Sequence, residues 1–305
     1  MKMNYWFAEE FQDKSNNINI SEILENGYTI VKNSVDIVLI NEFLGDYEML
    51  KKNTLDNYSH ELDSEDYCNG MYRRIVNLHS KLSSARPLFS SNTALTITDY
   101  FFGESTSLYT SLFYERGSGQ DCHRDTPYFW TNPGYGYFGV WLALEDVEPD
   151  AGPLVVIPKN HKIIDTELFR NEIGNMERLE NGQLNPLSAL LWQEYQSKVM
   201  EKCKAGCLKA KEVIINKGDT IIWHPQLMHG GAKIRNNNLS RKSFVMHVTP
   251  KYMNVFAQDK YFDASFDSEN ISRDTSLDYS KHHDRLFRET GVWAIAQKIF
   301  LPVQE

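Results

Sequence analysis

The chain has 305 residues, of which 41% are hydrophobic and 24% charged, and a formal net charge of -9. These are globular proportions, and the length suits one barrel-type domain with insertions, so residues 1–305 are expected to form a single domain. An acidic chain without a dominant basic stripe argues against nucleic-acid binding, and no apolar run is long enough to span a bilayer.

The first ten residues lack an apolar signal core. The four cysteines, at 68, 122, 203 and 207, show no disulfide or zinc framework spacing, so reduced thiols and a cytoplasmic location are the expectation. In chain order, residues 20–26 read as a short helix capped by Ser21, and 27–31 as a strand. A helix follows Asn33 and Ser34 to about residue 57, then a polar loop over 58–68. Residues 73–79 alternate like a strand, and 84–103 read as helical, closing on Gly103. From about 105 to 250 the pattern is mainly β, with strands expected over 108–115, 139–144, 153–157, 212–215, 220–223 and 243–248. Residues 165–211 interrupt it with helical periodicity, including 187–203, as a lid or packing element would. A last helix is expected over about 279–300.

Two short blocks carry the chemistry. In His123-Arg124-Asp125, an extended backbone puts His123 and Asp125 on one face and Arg124 on the other. One imidazole and one carboxylate are two thirds of a facial triad for non-haem iron. The second block, residues 218–231, reads as a Gly-Asp turn, a strand, a His-Pro break and then His229 beside two glycines, where a backbone can approach a metal closely. His224 and His229 compete as third ligand and should face differently. His229 has the glycine pair, whereas His224, beside Pro225, suits a structural hydrogen bond. Arg241 leads into an alternating strand, and a buried guanidinium there requires an anion, which it grips best as a carboxylate.

Together these blocks resemble the phytanoyl-CoA dioxygenase family of Fe(II)/2-oxoglutarate oxygenases, over residues 105–165 and 212–250. The resemblance implies a double-stranded β-helix, a cupin-like jelly roll with flanking helices, with its core at about 105–250. It implies Fe(II) on His123, Asp125 and His229, 2-oxoglutarate as cosubstrate with its distal carboxylate on Arg241, and O2 as oxidant, with release of succinate and CO2. Trp141 sits at a family cofactor-contacting position. The family commonly has Ser where Gly231 stands here, and Ser243, on the same strand face as Arg241, is the candidate replacement. Either Thr110 or Ser111 must face inward on the leading strand, and Thr110 is the candidate for cosubstrate contact. Related halogenases carry a small residue where Asp125 stands, so hydroxylation, desaturation or ring closure is expected instead.

Substrate contacts are expected from the aromatic cluster after the first block, through Phe129 or Trp130, with His247 or Arg116 as polar anchors. His161 reads as a turn-stabilising residue, and His282-His283 as a helix surface. The lysines at 198, 202, 204, 209 and 211 read as a solvated face, or else as a landing surface for an anionic carrier. A small metabolite is the expected partner, with an acyl-CoA thioester or a non-catalytic jelly-roll module as alternatives. The oligomeric state stays open.

Overall fold

The computed structural model describes residues 16–55, 67–132, 136–163, 165, 167–176, 189–263, 266 and 273–289. It opens with α1 (Ile18–Asn26), capped by the Asn17 side chain on Asn19 N at 2.9 Å and ended by the left-handed Gly27. Ser21 is therefore not the cap; it lies inside the helix, where its hydroxyl donates to the Asn17 carbonyl. Strand β1 (Tyr28–Val31) and α2 (Ile37–Leu50) follow, the latter capped by Asp36 and extended by a wider turn over Lys51–Leu55. The expected 58–68 loop lies mostly outside the described residues.

Two short strands, β2 (Tyr67–Cys68) and β3 (Met71–Tyr72), pair with each other. The strand expected over 73–79 shrinks to β4 (Ile75–Val76), because the chain turns at Asn77 into a tight helical turn. The helical stretch before Gly103 divides into α3 (Pro87–Ser90) and α4 (Leu95–Phe102).

The barrel strands are β5 (Ser107–Tyr114), β6 (Trp130–Asn132), β7 (Phe138–Ala143) and β8 (Leu154–Val156), then β9 (Lys211–Val213), β10 (Thr220–Trp223), β11 (His229–Gly231), β12 (Ser243–Thr249) and β13 (Asn254–Phe256). Between β8 and β9 stand α5 (Glu167–Met176) and α6 (Ala189–Ala205); a single turn, α7 (Gln258–Tyr261), follows β13. The chain then forms β14 (Tyr279–His282) and β15 (Arg285–Arg288), not the expected helix. His283, at the hairpin turn, takes the left-handed conformation (φ 52°), so the adjacent histidines belong to a hairpin rather than a helix surface. Residues 290–300 of that expectation lie outside the described residues.

The main sheet runs β1-β10-β7-β12-β5-β15-β14, with β4 also on β5, and a smaller sheet runs β11-β8-β9. All pairings are antiparallel except β15 with β5. Strands β5, β7, β10 and β12 are buried along their whole length. Both of their faces are covered, which explains near-continuous apolar sequence where one-sided strands would alternate. Phe138, Val140, Leu142, Phe244, Met246 and Val248 pack under the N-terminal helices. The opposite parity, Trp141, Ile221, Trp223 and Val245, meets Leu154, Val156 and Val213 of the small sheet. This two-sheet sandwich is a jelly roll flanked by helices, and the space between its sheets holds the candidate site.

Candidate metal centre

The two sequence blocks meet through the backbone. His123 and His229 form an isolated antiparallel bridge, with each N–H donating to the other's carbonyl at 2.8 and 2.9 Å. Ligand atoms of His123, Asp125 and His229 lie within 4.8 Å of one another, so the three could share a metal ion; among the described residues no other such group occurs. Each imidazole has its Nδ1 near a carbonyl two residues back, His123 on Asp121 at 2.8 Å and His229 on Leu227 at 3.0 Å. That contact suits a protonated Nδ1, which leaves Nε2 as the lone pair facing inward; on His123 the Gln120 Nε2 lies 3.3 Å from it, where a metal would take its place. The two Nε2 atoms lie 3.8 and 3.6 Å from Asp125 Oδ1.

Burial, then the neighbouring His229, pushes the His123 pKa down to about 4, so its ring is neutral near pH 7. Burial works against the Asp125 charge, but His229, His247 and His123 overcome it and hold the carboxyl below its ordinary range. The Trp223 indole donates to Asp125 Oδ2 at 3.1 Å. Room for that indole comes from Gly139, opposite Trp223 in the β7–β10 pairing, since a Cβ there would lie 2.0 Å from the ring.

Gly231 has an equally local cause. A Cβ at this position would approach Ser118 Oγ to 2.6 Å and Gly119 N to 2.9 Å, because the 118–120 loop packs against β11. No serine fits there. Ser243 lies on β12 with its buried hydroxyl unpartnered, on the same strand face as Arg241.

Arg241 is only 2% exposed. Its Nη1 donates to the Gly152 carbonyl at 3.1 Å, its guanidinium lies over the rings of Trp141 and Tyr114, and its Nε has no partner. Among the described residues no carboxylate pairs with it. Burial lowers its pKa to about 10, which still leaves it cationic at neutral pH.

One cavity of about 190 Å³ joins these groups; Arg241, Trp141, Leu112 and Val245 line it together with the triad. Phe129 and His247 also line it, their rings stacked at 4.2 Å. His247 Nε2 lies 3.6 Å from Asp125 Oδ2, and its buried Nδ1 has no partner.

Other expected residues stand elsewhere. Trp130, the first residue of β6, packs into a separate cluster with Tyr261 and Phe256, whereas Phe129, in the turn before it, lines the cavity. The Thr110 hydroxyl is occupied by Asn77 Oδ1 at 2.7 Å, and neither Thr110 nor Arg116 lines the cavity. His224 accepts from Gln226 N at 2.9 Å and packs on His161, outside the cavity. His161 reaches back to the Leu24 carbonyl and so ties the end of β8 to α1. Residues that sequence reasoning passed over are Trp223, legible from its strand parity with Ile221, and Arg74, Gln120 and Trp192 on the cavity wall.

The segment His123–Asp125 is anchored from behind by Arg124, which is fully buried. Its guanidinium donates to Asp165 Oδ1, Gln226 Oε1 and the carbonyls of Asn160 and Ile163 at 2.8 to 3.0 Å. Asp165 Oδ2 also accepts from Tyr195 of α6, Tyr261 of α7 and Gln226. One buried ion pair thus ties the approach to His229, the insertion and the His123–Asp125 segment together.

Jelly-roll architecture with this side-chain set defines a class of protein, and comparison with known proteins places the chain within it. Residues 23–243 match the family model of phytanoyl-CoA dioxygenase (PhyH), and the chain belongs to that family. It is 22% identical over 239 residues to the peroxisomal phytanoyl-CoA dioxygenase of Bos taurus, and 23% identical over 245 residues to that of Homo sapiens. Each alignment covers 73% of this chain but 65% of the relative, so the chain spans just under two thirds of these relatives' length. Among solved structures it resembles the epimerase SnoN in complex with Fe3+, alpha ketoglutarate and nogalamycin RO, with TM-score 0.55 and 14% identity, covering 88% of this chain and 96% of that one. It also resembles the non-heme alpha ketoglutarate dependent carbocyclase SnoK, with TM-score 0.54 and 15% identity, covering 78% and 85%. At such identities the likeness establishes the fold.

Proposed function

We propose that this chain is an Fe(II)- and 2-oxoglutarate-dependent oxygenase acting on a C–H bond of a small metabolite, with His123, Asp125 and His229 as iron ligands. The observation that carries the reading is Arg241, a buried cation that no carboxylate among the described residues pairs with, in the same cavity as the triad. An uncompensated buried charge costs several kcal/mol, so the site is built for an anion brought by a ligand. A dicarboxylate whose other end chelates the metal meets that need. Ser243, two residues beyond Arg241, has an unpartnered hydroxyl but does not line the cavity, so Arg241 carries the contact.

When bound, iron(II) and 2-oxoglutarate would supply the O2-activating chemistry, with the cosubstrate leaving as succinate and CO2. The chain's own groups do the rest. His123 and His229 present fixed lone pairs, Trp223 fixes the Asp125 carboxylate, and Arg241 sets the direction of the dicarboxylate. Leu112, Trp141, Leu154 and Val245 keep water away between the two ends. With a carboxylate at Asp125, the position that halogenation would need open is filled, which favours hydroxylation, desaturation or cyclisation.

The acyl-CoA substrate named for the curated relatives is the second reading. Its candidate docking surface, the lysine run, is partly engaged locally: Lys198 pairs with Glu172, Lys202 covers Phe169, and Lys211 reaches the Tyr28 hydroxyl. That favours a substrate without phosphate charges.

The test is anaerobic titration of Fe(II) and then 2-oxoglutarate, read by the visible charge-transfer band of the chelate, followed by succinate release under air. Arg241→Leu should weaken 2-oxoglutarate binding by about 2–5 kcal/mol while Fe(II) still binds. Unchanged 2-oxoglutarate affinity would show that another cation holds the carboxylate, and no chelate band in the wild type would end the proposal.

A further inference from the structure

Helix α6 presents two different faces. Leu191, Tyr195, Val199 and Cys203, four residues apart, are buried in the cluster beneath the helix. Trp192 and Gln196, also one turn apart, look toward the His123–Asp125 segment instead. Gln196 accepts from Arg124 N at 2.8 Å and donates to the Arg124 carbonyl at 2.9 Å, clamping the residue between two metal-site side chains. One turn earlier, the Trp192 ring lies 4.5 Å from that of Tyr128 and 5.9 Å from that of His123. Trp192 and Tyr128 both line the cavity and both are only half-buried. A packing role would bury an indole, and this helix already has a complete buried stripe.

We propose that Trp192 and Tyr128 form an aromatic wall beside the metal triad that determines specificity, receiving a flat aromatic or unsaturated ring of the substrate. The inference rests on the oxygenase reading and names the substrate class for that same site. The two ring planes meet at 40°, so they make an angled corner rather than a closed sandwich, and a planar face can enter from the open side. Offset and edge-to-face contacts with such a face are favourable, whereas a puckered saturated ring touches the corner at few atoms. The Gln196 clamp fixes the wall's distance from the ligands, since moving α6 breaks two bonds to a backbone whose side chain is itself held by Asp165. Gln120, whose Nε2 lies 3.3 Å from His123 Nε2, and Arg74 complete this side of the cavity wall.

A matched pair of probes tests this: naphthalen-2-ol and its saturated counterpart decalin-2-ol. Their binding to the whole chain is measured by saturation-transfer NMR, metal-free and again anaerobically with Fe(II) and 2-oxoglutarate. The naphthol should bind more tightly, and Trp192→Ala should weaken it about three- to tenfold while leaving the decalinol unchanged. Trp192→Phe should recover most of the loss. If Trp192→Ala melts early, Tyr128→Leu must give the same selective loss at unchanged stability. Equal affinity for the two probes in the wild type, or naphthol affinity unaffected by both substitutions, overturns the wall. A missing chelate band with the naphthol preference intact would refute the oxygenase reading and leave the wall standing.

Discussion

Gly139 shows how a residue without a side chain shapes the centre. It lies on β7 opposite Trp223, and the space that its missing Cβ leaves is filled by the indole that bonds Asp125. Gly139→Ala would push a buried ring that has nowhere to go, at a cost of about 1–3 kcal/mol for overpacking. The larger consequence falls on the carboxylate: with the indole displaced, Fe(II) affinity should drop about 10- to 100-fold, the usual effect of losing a partner behind a ligand. Isothermal titration with Fe(II) checks this, and unchanged affinity would show that Trp223 does not hold Asp125. The histidine pair in the second block makes a sharper contrast. His229→Ala should abolish iron binding, whereas His224→Ala, which loses a turn bond and packing on His161, should lower the melting temperature and keep iron. Equal loss of iron in both variants would sink the ligand assignment.

At the scale of elements, the sequence was most legible where backbone period and chemistry coincide. His123 and Asp125 are two apart on extended chain, and Arg241, Ser243, Val245 and His247 keep one strand parity, so their shared face follows from alternation alone. That rule does not reach Phe129 and Trp130, because Phe129 ends the turn after Asp125 and Trp130 opens β6. The C-terminal hairpin was illegible for another reason. Its turn passes through His283 without the usual glycine or Asn-Gly signal, so nothing in the local sequence marks the reversal between Tyr279–His282 and Arg285–Arg288. Helix α6 was expected, but its direction was not. Leucine and tyrosine at four-residue spacing identify a buried stripe, yet only the folded chain reveals that Trp192 and Gln196 meet the His123–Asp125 segment. Arg124 was hidden in the same way, since its partner Asp165 lies about forty residues on, where the insertion begins, and nothing in the sequence pairs the two.

Over the whole molecule, buried histidines away from the metal centre link stability to pH. His79 lies under the C-terminal hairpin with Nδ1 2.7 Å from Ser111 Oγ, and His161 joins α1 to the end of β8. Burial is the largest cause in both, and it pushes each pKa down to about 4. The folded chain therefore keeps these rings neutral where the unfolded chain, with an ordinary pKa near 6.5, takes up protons. Stability from this source is complete above about pH 6.5 and is lost as pH falls from there toward about 4. Between pH 7 and pH 5 each histidine should cost on the order of 2 kcal/mol of unfolding free energy. Urea denaturation of the wild type and of His79→Gln across that window provides the check. The variant starts less stable, because it loses the imidazole's packing against Phe287, but its stability should decline more slowly with acid by about one proton per molecule. Parallel declines for the two proteins would mean that His79 is protonated in the fold and that its burial is relieved near pH 6.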